Sequence, residues 1–338
     1  MTFECPQCHK KYIHEYNRDM HIKLICKSGV KENPVVINIK PPIKWIGGKT
    51  QIIKDIMKSI PNEMNNYHEV FLGGGSVLLS VLQYKNSGNI NIKGNIYAYD
   101  YNKELINLYT NIQKYPTKIF KTVNSIYKEY KKCTGSVVNR KPANITEATS
   151  SKETYYFWKR NEYNTLKDLK KNSILKSSLF IFLNKTCFRG MFREGPNGFN
   201  VPFGNYKNVS DIKKEDINSL SNLIKNVKFI HNDFQDSIAN IKKEDFVYLD
   251  PPYAPENSNS FVGYTKSGFT LEQHEKLFEL CNNFKKNSIS FTMSNANVDL
   301  VNEHFPDSQF NKKIIDARRA INSKNPGSKT TELIIMNH

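Results

Sequence analysis

Residues 246–253 read FVYLDPPY and give the clearest indication of the fold. Its four apolar residues follow a charged run, KKED at 242–245, and predict a short buried strand of a parallel sheet. The two prolines lack a backbone N–H and fix φ, so neither a sheet ladder nor a helix continues past Leu249. Asp250 and Tyr253 are therefore expected beyond the carboxyl end of a parallel strand, where open α/β sheets bind their ligands.

The tetrad that begins at Asp250 suits chemistry on the exocyclic amino group of a nucleobase. Such a nitrogen is a poor nucleophile because its lone pair is delocalised into the ring. The Asp250 carboxylate and the Pro251 carbonyl can accept its two N–H bonds, while the Tyr253 ring stacks on the base. The lone pair is then free to attack an electrophilic methyl group in line. A plain turn between a strand and a loop is the alternative, and the tetrad alone leaves it open.

Length and charge narrow the class of partner. The chain has 338 residues, enough for a sizeable core. Its 49 lysines and arginines against 32 aspartates and glutamates give a net charge of +17, which favours a polyanionic partner such as nucleic acid. Part of this excess reflects a composition rich in lysine, asparagine and isoleucine. The sequence shows no apolar run of membrane-spanning length and no signal peptide, so we expect an intracellular, soluble protein with no membrane partner.

The first thirty residues contain a candidate metal site. Their spacing C-x2-C-x12-H-x4-C offers soft ligands to one tetrahedral zinc ion. The ligand candidates are Cys5, Cys8, His21 and Cys26. The pattern resembles the zinc fingers that use two cysteines and two histidines, although Arg18 stands where those fingers have a leucine. We expect a finger-like module at 1–30 and a linker at 31–40, with a chance cluster in a flexible tail as the alternative.

A second ligand signal lies earlier in the chain than the tetrad. The residues HEVFLGGGS at 68–76 predict a short strand, a tight turn and the start of a helix. Glycines let a ligand approach the backbone at a helix N-terminus. The next predicted strand, 96–99, ends in Asp100, 25 residues after Gly75, where an acid can bind ribose hydroxyls. These features predict a nucleoside ligand, although Asp100 as a helix cap is the alternative.

The glycine turn, the strand-end acid and the tetrad, in that order, resemble the amino-methylating S-adenosylmethionine-dependent methyltransferases. The detail is most similar to the Dam-type DNA adenine-N6 methyltransferases, from about residue 42 to the end of the chain. Besides the tetrad, the resemblance is carried by KWIGGK at 44–49, EVFLGGGS at 69–76, FRGMFR at 188–193 and GFNVPFG at 198–204. It implies an α/β fold, a doubly wound, mainly parallel Rossmann-like methyltransferase sheet with an antiparallel last strand and a helical insert.

The resemblance also implies an activity and its residues. The reaction transfers a methyl group from S-adenosylmethionine to N6 of an adenine flipped out of duplex DNA. Catalysis falls to Asp250, Pro251 and Tyr253. The implied cofactor contacts are Trp45, Lys49, Glu69, Phe71, Gly73, Gly75, Asp100, Asp233, Phe234 and Asp250. Asp233 and Phe234 follow a predicted strand at 227–230 and can hold an adenine ring, with a plain turn as the alternative.

Residues 112–226 differ in character from the flanking sequence and predict a helical insert with one loop, rich in Ser, Thr and Asn, at 133–152. By the resemblance this insert reads DNA, commonly at GATC. The implied DNA contacts are Lys44, Phe188, Arg189, Met191, Arg193, Pro202, Tyr206, Lys207 and Arg318. Without the resemblance, Arg189 and Arg193 read as ordinary solvated charges. Asn205 departs from the family, which commonly has an arginine there.

We therefore expect a catalytic domain of residues 41–111 and 227–338, interrupted by a target-recognition insert at 112–226. The expected partner is double-stranded DNA, bound by a monomer, and the zinc ion would be structural only. One rival is an RNA adenine methyltransferase; another is a protein glutamine methyltransferase, which Asp250 disfavours because those enzymes usually begin the tetrad with Asn. A catalytically silent DNA-binding module of the same fold is a third rival, and the complete tetrad and glycine turn argue against it.

Overall fold

The computed structural model describes most of the chain, namely residues 2–4, 11–12, 39–166, 169–239, 241–255, 269–318 and 329–338. The predicted zinc ligands Cys5, Cys8, His21 and Cys26 lie outside the described residues. At the N-terminus, β1 (Phe3–Glu4) pairs antiparallel with β2 (Lys11–Tyr12). This pair brackets, in sequence, the two predicted cysteine ligands of the knuckle.

A seven-stranded sheet forms the centre of the fold. The strands after β2 are β3 (Glu63–Met64), β4 (Tyr67–Glu69), β5 (Asn91–Ile92), β6 (Ile96–Asp100), β7 (Glu194–Gly195), β8 (Gly198–Phe199), β9 (Val227–His231), β10 (Phe246–Leu249), β11 (Ser290–Ala296), β12 (Asn311–Arg318) and β13 (Lys329–Met336). The sheet has the order β12-β13-β11-β10-β4-β6-β9. The strands from β11 to β9 run parallel, whereas β13 pairs antiparallel with β11 and β12. The predicted mainly parallel sheet with an antiparallel last strand is confirmed.

The chain reverses its course across the sheet between β4 and β10. From β4 it adds β6 and then β9 on one side, and it later places β10 on the other side of β4. Doubly wound sheets bind ligands in the crevice that opens at such a switch point, beyond the carboxyl ends of the strands. The topology therefore places a crevice beyond Glu69 and Leu249, the last residues of these two strands.

Strand β10 is buried on both faces, as its apolar sequence predicted. Phe246 and Tyr248 pack into one core, and Val247 and Leu249 into a second. Because side chains alternate along a strand, these two cores lie on opposite faces of the sheet. Burial of both faces is the normal condition of a parallel sheet covered by helices.

Helices cover the sheet and build the insert. The described helices are α1 (Ile53–Lys58), α2 (Ser76–Asn86), α3 (Lys103–Lys114), α4 (Pro116–Lys132), α5 (Ile145–Ala148), α6 (Lys152–Thr165), α7 (Leu169–Thr186), α8 (Lys214–Leu223), α9 (Phe234–Ile238), α10 (Leu271–Lys286) and α11 (Asp299–His304). Helix α10 begins at a capping box, in which the Thr270 hydroxyl accepts from the Gln273 amide and the Gln273 side chain accepts from the Thr270 amide. Across the described part of the chain, no helix has both the length and the apolar character to cross a bilayer.

The insert is helical, as predicted, and has an aromatic core. Helix α4 packs on α6, α7 and α8, and α6 packs on α7. The rings of Tyr127, Tyr130 and Tyr155 lie edge-on against Phe182 at their centre. The stretch 133–152, predicted to be a loop, contains the short helix α5. That helix forms because Asn144 caps it, its side chain accepting from the Glu147 amide.

Candidate functional site

Three carboxylates lie at the carboxyl ends of three neighbouring parallel strands. Glu69 is the last residue of β4, Asp100 is the last residue of β6, and Asp250 directly follows β10. The structure thus brings predicted catalytic and cofactor-binding acids together at one rim of the sheet, which we call the carboxylate rim. Burial raises the pKa of each carboxyl group, and that of Glu69 reaches about 8. Clustered groups with perturbed pKa values are typical of functional sites.

A buried lysine holds Asp250. The Lys49 ammonium lies 2.7 Å from Asp250 Oδ1 and forms an ion pair with it. The same ammonium donates to the Gly47 carbonyl at 2.7 Å and lies 4.7 Å from the centre of the Tyr253 ring. Burial raises the pKa of Asp250, and the Lys49 charge opposes that rise. Because the Asp250 side chain remains 21% exposed with Oδ1 paired, its second oxygen is left for a ligand.

Two side chains that the sequence analysis missed fix the loop after Asp250. The Tyr253 hydroxyl donates to Glu332 Oε2 at 2.7 Å, and Glu332 lies on β13. Asn295, fully buried on β11, accepts from the Ala254 amide at 3.1 Å. These contacts tie the loop to β11, which pairs with β10, and to β13, the next strand beyond β11. The partners are 79 and 41 residues apart in the chain, so no local pattern signals either contact.

The glycine turn packs closely against aromatic side chains. Gly73 and Gly75 have left-handed φ angles of 50° and 75°, which glycine adopts at no steric cost. A Cβ atom at Gly74 would lie 2.8 Å from Trp45 Cβ, and one at Gly75 would lie 2.4 Å from the Tyr109 hydroxyl oxygen. Both the turn and its packing therefore require glycine, and Trp45 lies directly on the turn.

Asp100 connects its strand end to the glycine turn. Its Oδ2 accepts from the Gly73 amide and its Oδ1 from the Asn102 amide, each at 2.8 Å. Asn102 caps helix α3, since its side chain accepts from two amides of the first turn. The helix cap is thus Asn102, whereas Asp100 holds the backbone of the glycine turn and of Asn102. Tyr101, which the sequence analysis also missed, directly follows and is 78% exposed.

The other predicted cofactor residues lie in an aromatic wall. Phe71 and Phe234 stack with ring centres 6.0 Å apart, and Phe269 contacts both. Phe234 is buried in this cluster. Asp233 caps helix α9, accepting from the Gln235 amide at 2.9 Å. Asp233 therefore lies at the start of a helix beside an aromatic cluster, as the sequence suggested. The Phe234 ring itself is packed into that cluster.

Most residues predicted to contact DNA lie on one hairpin, residues 186–204, which we call the recognition hairpin. The Phe188 amide donates to the Pro202 carbonyl, and the Gly204 amide donates to the Thr186 carbonyl, each at 2.8 Å. Strands β7 and β8 pair within it. Arg193 Nε donates to Asn200 Oδ1 at 2.7 Å. Phe188 is 43% exposed at the surface of the recognition hairpin.

A single amide side chain joins Lys44 to the recognition hairpin. Asn184, buried on α7, accepts from the Lys44 amide at 2.8 Å. Its Nδ2 donates to the Lys44 carbonyl at 2.8 Å and to the Gly190 carbonyl at 2.9 Å. A Cβ atom at Gly190 would lie 2.8 Å from Lys44 Cβ, so the two segments touch. Asn184 thus aligns two predicted DNA-contacting segments that lie 140 residues apart, and the sequence analysis did not find it.

Besides Lys44, three predicted DNA contacts lie outside the recognition hairpin, namely Tyr206, Lys207 and Arg318. The Lys44 ammonium lies 5.3 Å from the centre of the Tyr206 ring. Asn205 has a left-handed φ of 47°, which suits asparagine. Arg189, Pro202 and Lys207 are exposed, and Met191 is half-buried. Arg318 belongs to a different element, the end of edge strand β12. Within the described residues, no group of three or more His, Cys, Asp or Glu is placed to hold a metal ion.

Comparison with known proteins identifies the family. The sequence profile of the D12 class N6 adenine-specific DNA methyltransferases matches residues 45–321. The type II methyltransferase M.MjaIII of Methanocaldococcus jannaschii is 31% identical over 312 residues, covering 89% of this chain and 100% of that protein. The DNA adenine methylase of Haemophilus influenzae is 31% identical over 300 residues, covering 87% and 92%. The solved precorrin-6y C5,15-methyltransferase of Geobacter metallireducens has a TM-score of 0.37 and 8% identity, over 90% of this chain and 97% of that one, which is too distant to carry an argument. The chain belongs to the D12 class of N6 adenine-specific DNA methyltransferases.

Proposed function

We propose that the carboxylate rim methylates an adenine that has been flipped out of duplex DNA, within a short site such as GATC. The observation that carries this proposal is the ion pair between Lys49 and Asp250 at the switch point of the sheet. It fixes one oxygen of the acid and leaves the other for the target amino group. Asp250, Pro251 and Tyr253 are the catalytic residues.

The geometry suits activation of a weakly nucleophilic amine by hydrogen bonding. The free oxygen of Asp250 and the carbonyl of Pro251 accept the two N–H bonds of adenine N6, which frees the nitrogen lone pair. Lys49 favours the ionised form of Asp250 against burial, so that the acid can accept. The Tyr253 ring, anchored by Glu332, provides a face for the base. Positioning and electrostatics supply the catalysis, and no strong general base is needed.

The crevice has features that fit S-adenosylmethionine. When bound, the cofactor supplies the electrophilic methyl group. The Asp100 carboxylate, oriented by two amides beside the glycine turn, suits the ribose hydroxyls, and the exposed Tyr101 ring offers a face to the adenine. The Asp233 carboxylate suits the amino group of the cofactor's adenine. The other assigned contacts are Trp45, Lys49, Glu69, Phe71, Gly73, Gly75, Phe234 and Asp250.

Target recognition is assigned to the recognition hairpin and its neighbours. Lys44 and Arg193 are donors suited to guanine O6 and N7, and the exposed Phe188 ring suits a wedge in the base stack. The other assigned contacts are Arg189, Met191, Pro202, Tyr206, Lys207 and Arg318. Flipping an adenine costs on the order of a few kcal/mol, which these groove and phosphate contacts offset.

The domain plan follows from the same reasoning. The catalytic domain is 41–111 with 227–338, and the recognition insert is 112–226, in a protein that acts as a monomer. A finger-like module at 1–30 holds a structural zinc ion in this proposal, supported by the ligand spacing and by the pairing of β1 with β2 around the knuckle sequence. Metal analysis of the purified protein tests it, and a zinc content well below one per chain contradicts it.

Sequencing of DNA methylation tests the proposed function. The gene is expressed in a host free of DNA methylation, and the genomic DNA is sequenced for N6-methyladenine. We expect methylation of one short motif containing adenine. Purified protein is then offered duplex DNA, RNA and a glutamine-containing peptide together with labelled cofactor, and only the duplex is expected to take up label. Label in RNA or peptide, or methylation without a shared motif, contradicts the proposal.

A further inference from the structure

The glycine turn pairs two of its three peptide units within the protein. In the first, the Gly73 amide donates to the acid that ends β6, and the Leu72 carbonyl accepts from the Gly75 amide, each at 2.8 Å. The third contains that same Gly75 amide, and its carbonyl, on Gly74, accepts from the Tyr109 hydroxyl at 2.6 Å. The middle peptide consists of the Gly73 carbonyl and the Gly74 amide. Neither group has a hydrogen-bond partner among the residues that the structure describes.

Helix α3 directs the Tyr109 side chain to this turn. The helix begins at its cap, Asn102, whose amide is bonded to the same Asp100 carboxylate that holds the Gly73 amide. Tyr109 lies seven residues after the cap, two turns along the same face of the helix. Its ring is fully buried and stacks on Phe229 of β9, with ring centres 5.3 Å apart. Packing therefore holds the hydroxyl at one position against the turn.

The hydroxyl of Tyr109 selects the conformation of the turn. Consecutive glycines have many accessible backbone conformations, so the groups around them must impose a single one. Gly74 is buried, and within the described residues Tyr109 is the one donor to its carbonyl. Burial raises the pKa of Tyr109, so the hydroxyl keeps its proton and donates. Loss of this donor would leave a buried carbonyl unpaired, which favours a different orientation of its peptide.

The order of the strands indicates which part of the cofactor meets the turn. Along the rim, Asp233 follows β9, Asp100 ends β6, the glycine turn follows β4 and Asp250 follows β10. The proposed function gives the adenine to Asp233, the ribose to Asp100 and the target amino group to Asp250. We therefore expect the amino-acid end of S-adenosylmethionine at β4, beside the turn. That end carries an ammonium and a carboxylate, which suit the unpaired carbonyl and amide of the middle peptide.

We propose that Tyr109 is a positioning residue for the cofactor: its buried hydroxyl fixes the glycine turn so that the middle peptide receives the amino-acid end of S-adenosylmethionine. Tyr109 acts only through the Gly74 carbonyl and does not touch the cofactor. The inference rests on the proposed function and deepens it, because it adds a residue behind the turn to the assigned cofactor contacts.

Tyr109→Phe tests the proposal, because it removes the hydroxyl and keeps the ring on Phe229. The full-length protein is titrated with S-adenosylhomocysteine and with methylthioadenosine, which has the nucleoside and the sulfur but no amino-acid end. The Kd of S-adenosylhomocysteine is expected to rise about fivefold, as for the loss of one neutral hydrogen bond. The Kd of methylthioadenosine is expected to stay near that of the wild type. With S-adenosylmethionine, KM for the cofactor rises by the same factor at nearly unchanged kcat.

Tyr156→Phe is the matched control. It also removes a fully buried hydroxyl that donates to a backbone carbonyl, that of Val201, at 2.7 Å, but in the insert. Its affinities for both ligands are expected to equal those of the wild type. Both variants are expected to lower Tm modestly, so a difference between them in cofactor affinity does not come from stability alone.

Trp45 gives a second readout that needs no cofactor. Its ring packs on Gly73 and Gly74, and the chain has one other tryptophan, Trp158. In a Trp158→Phe background the fluorescence therefore comes from Trp45. Tyr109→Phe is expected to increase the quenching of this fluorescence by acrylamide, because a loosened turn exposes the ring. The control substitution in the insert is expected to leave the quenching unchanged.

Wild-type affinity of Tyr109→Phe for S-adenosylhomocysteine overturns the proposal, and so does unchanged quenching of Trp45. An equal loss of affinity for the two ligands also overturns it, because the hydroxyl then acts on the whole pocket rather than on the amino-acid end. Failure of the proposed function is distinct, since the wild-type protein then binds S-adenosylhomocysteine and transfers no methyl group to duplex DNA.

Discussion

The carboxylate rim and the recognition hairpin hold their functional groups by different means. At the rim, the acids follow directly from strand ends, and Asp250 is paired with a buried lysine. On the hairpin, the side chains that reach outward are exposed, and the backbone beneath them is fixed by the amide of Asn184. In the proposed function, the sheet itself positions the groups for methyl transfer, whereas the long-range contacts of Asn184 position the groups that read DNA. Changes at the rim are expected to affect turnover, and changes at the clamp to affect DNA binding.

Asp250→Ala gives the largest expected effect. Loss of the acceptor leaves the target nitrogen unactivated, so kcat falls by at least roughly 10²–10³-fold, as for removal of one oriented group from an electrostatic site. DNA affinity stays within a few-fold, because the recognition hairpin is unchanged. Single-turnover methyl transfer and a binding titration measure the two quantities. An equal loss of kcat and of DNA affinity would show that the carboxylate rim also contributes to DNA binding.

Lys49→Met tests the electrostatic part of the rim. The ammonium opposes the burial that raises the pKa of Asp250, so its removal raises that pKa further. A neighbouring opposite charge lowers a carboxyl pKa by roughly 1–3, so activity below the new pKa falls about tenfold or more and recovers as the pH rises. The pH profile of kcat reports the shift. Lys54→Met, an exposed lysine on α1, is the control, and a Lys49→Met profile that overlays the control contradicts the role.

Asn184→Ala tests the clamp of the hairpin. Three hydrogen bonds are lost, each contributing on the order of 1 kcal/mol, so Tm falls and the KM for DNA rises roughly tenfold. At saturating DNA, kcat is expected to change little. Asn161→Ala, exposed on α6, controls for loss of an asparagine in the same insert. A fall in kcat with the KM for DNA unchanged would contradict the assignment of Asn184 to DNA binding and would place its effect on methyl transfer.

The Glu69→Gln variant tests whether burial at the carboxylate rim raises the pKa of Glu69, because such a shift makes the stability of the fold depend on pH. Burial raises the pKa of Glu69 from 4.5 to about 8, so the folded state holds this proton more tightly than the unfolded state. The stability it contributes is fully present below pH 4.5 and is lost as the pH rises through about 8. Between pH 6 and 9 the wild type is expected to lose on the order of 2 kcal/mol relative to Glu69→Gln in urea unfolding. Parallel curves for the two proteins contradict the assignment.

The hydrogen bond from Tyr253 to Glu332 gives the smallest expected effect. Tyr253→Phe and Glu332→Ala are each expected to lower kcat a few-fold, because the ring loses its anchor and the rest of the tetrad stays in place. The double variant is expected to be no slower than the slower single variant, since both changes remove one interaction. Glu332→Gln keeps an acceptor and restores most of the activity. Fully additive losses show that the two residues act separately.

The sequence predicted the features that rest on local pattern. The apolar run of β10 predicted a strand buried within a parallel sheet. The strand-end acids also follow from local pattern, because parallel strands deliver their carboxyl ends to one rim. Asn184 and Glu332 were not predictable, since each is a single polar residue whose partner lies 140 or 79 residues away. Only tertiary packing brings them into contact.

The pairing of β6 with β9 also has an evolutionary consequence. The chain leaves the sheet after Asp100, the last residue of β6, and returns to it at Val227, the first residue of the adjacent parallel strand β9. The segment between these two residues, which contains the insert, is therefore anchored at both ends in one pair of neighbouring strands, so its interior can lengthen, shorten or be replaced while the two strands stay in register. We expect relatives of this enzyme to diversify their target sites by exchanging this segment, with the methyl-transfer apparatus inherited unchanged.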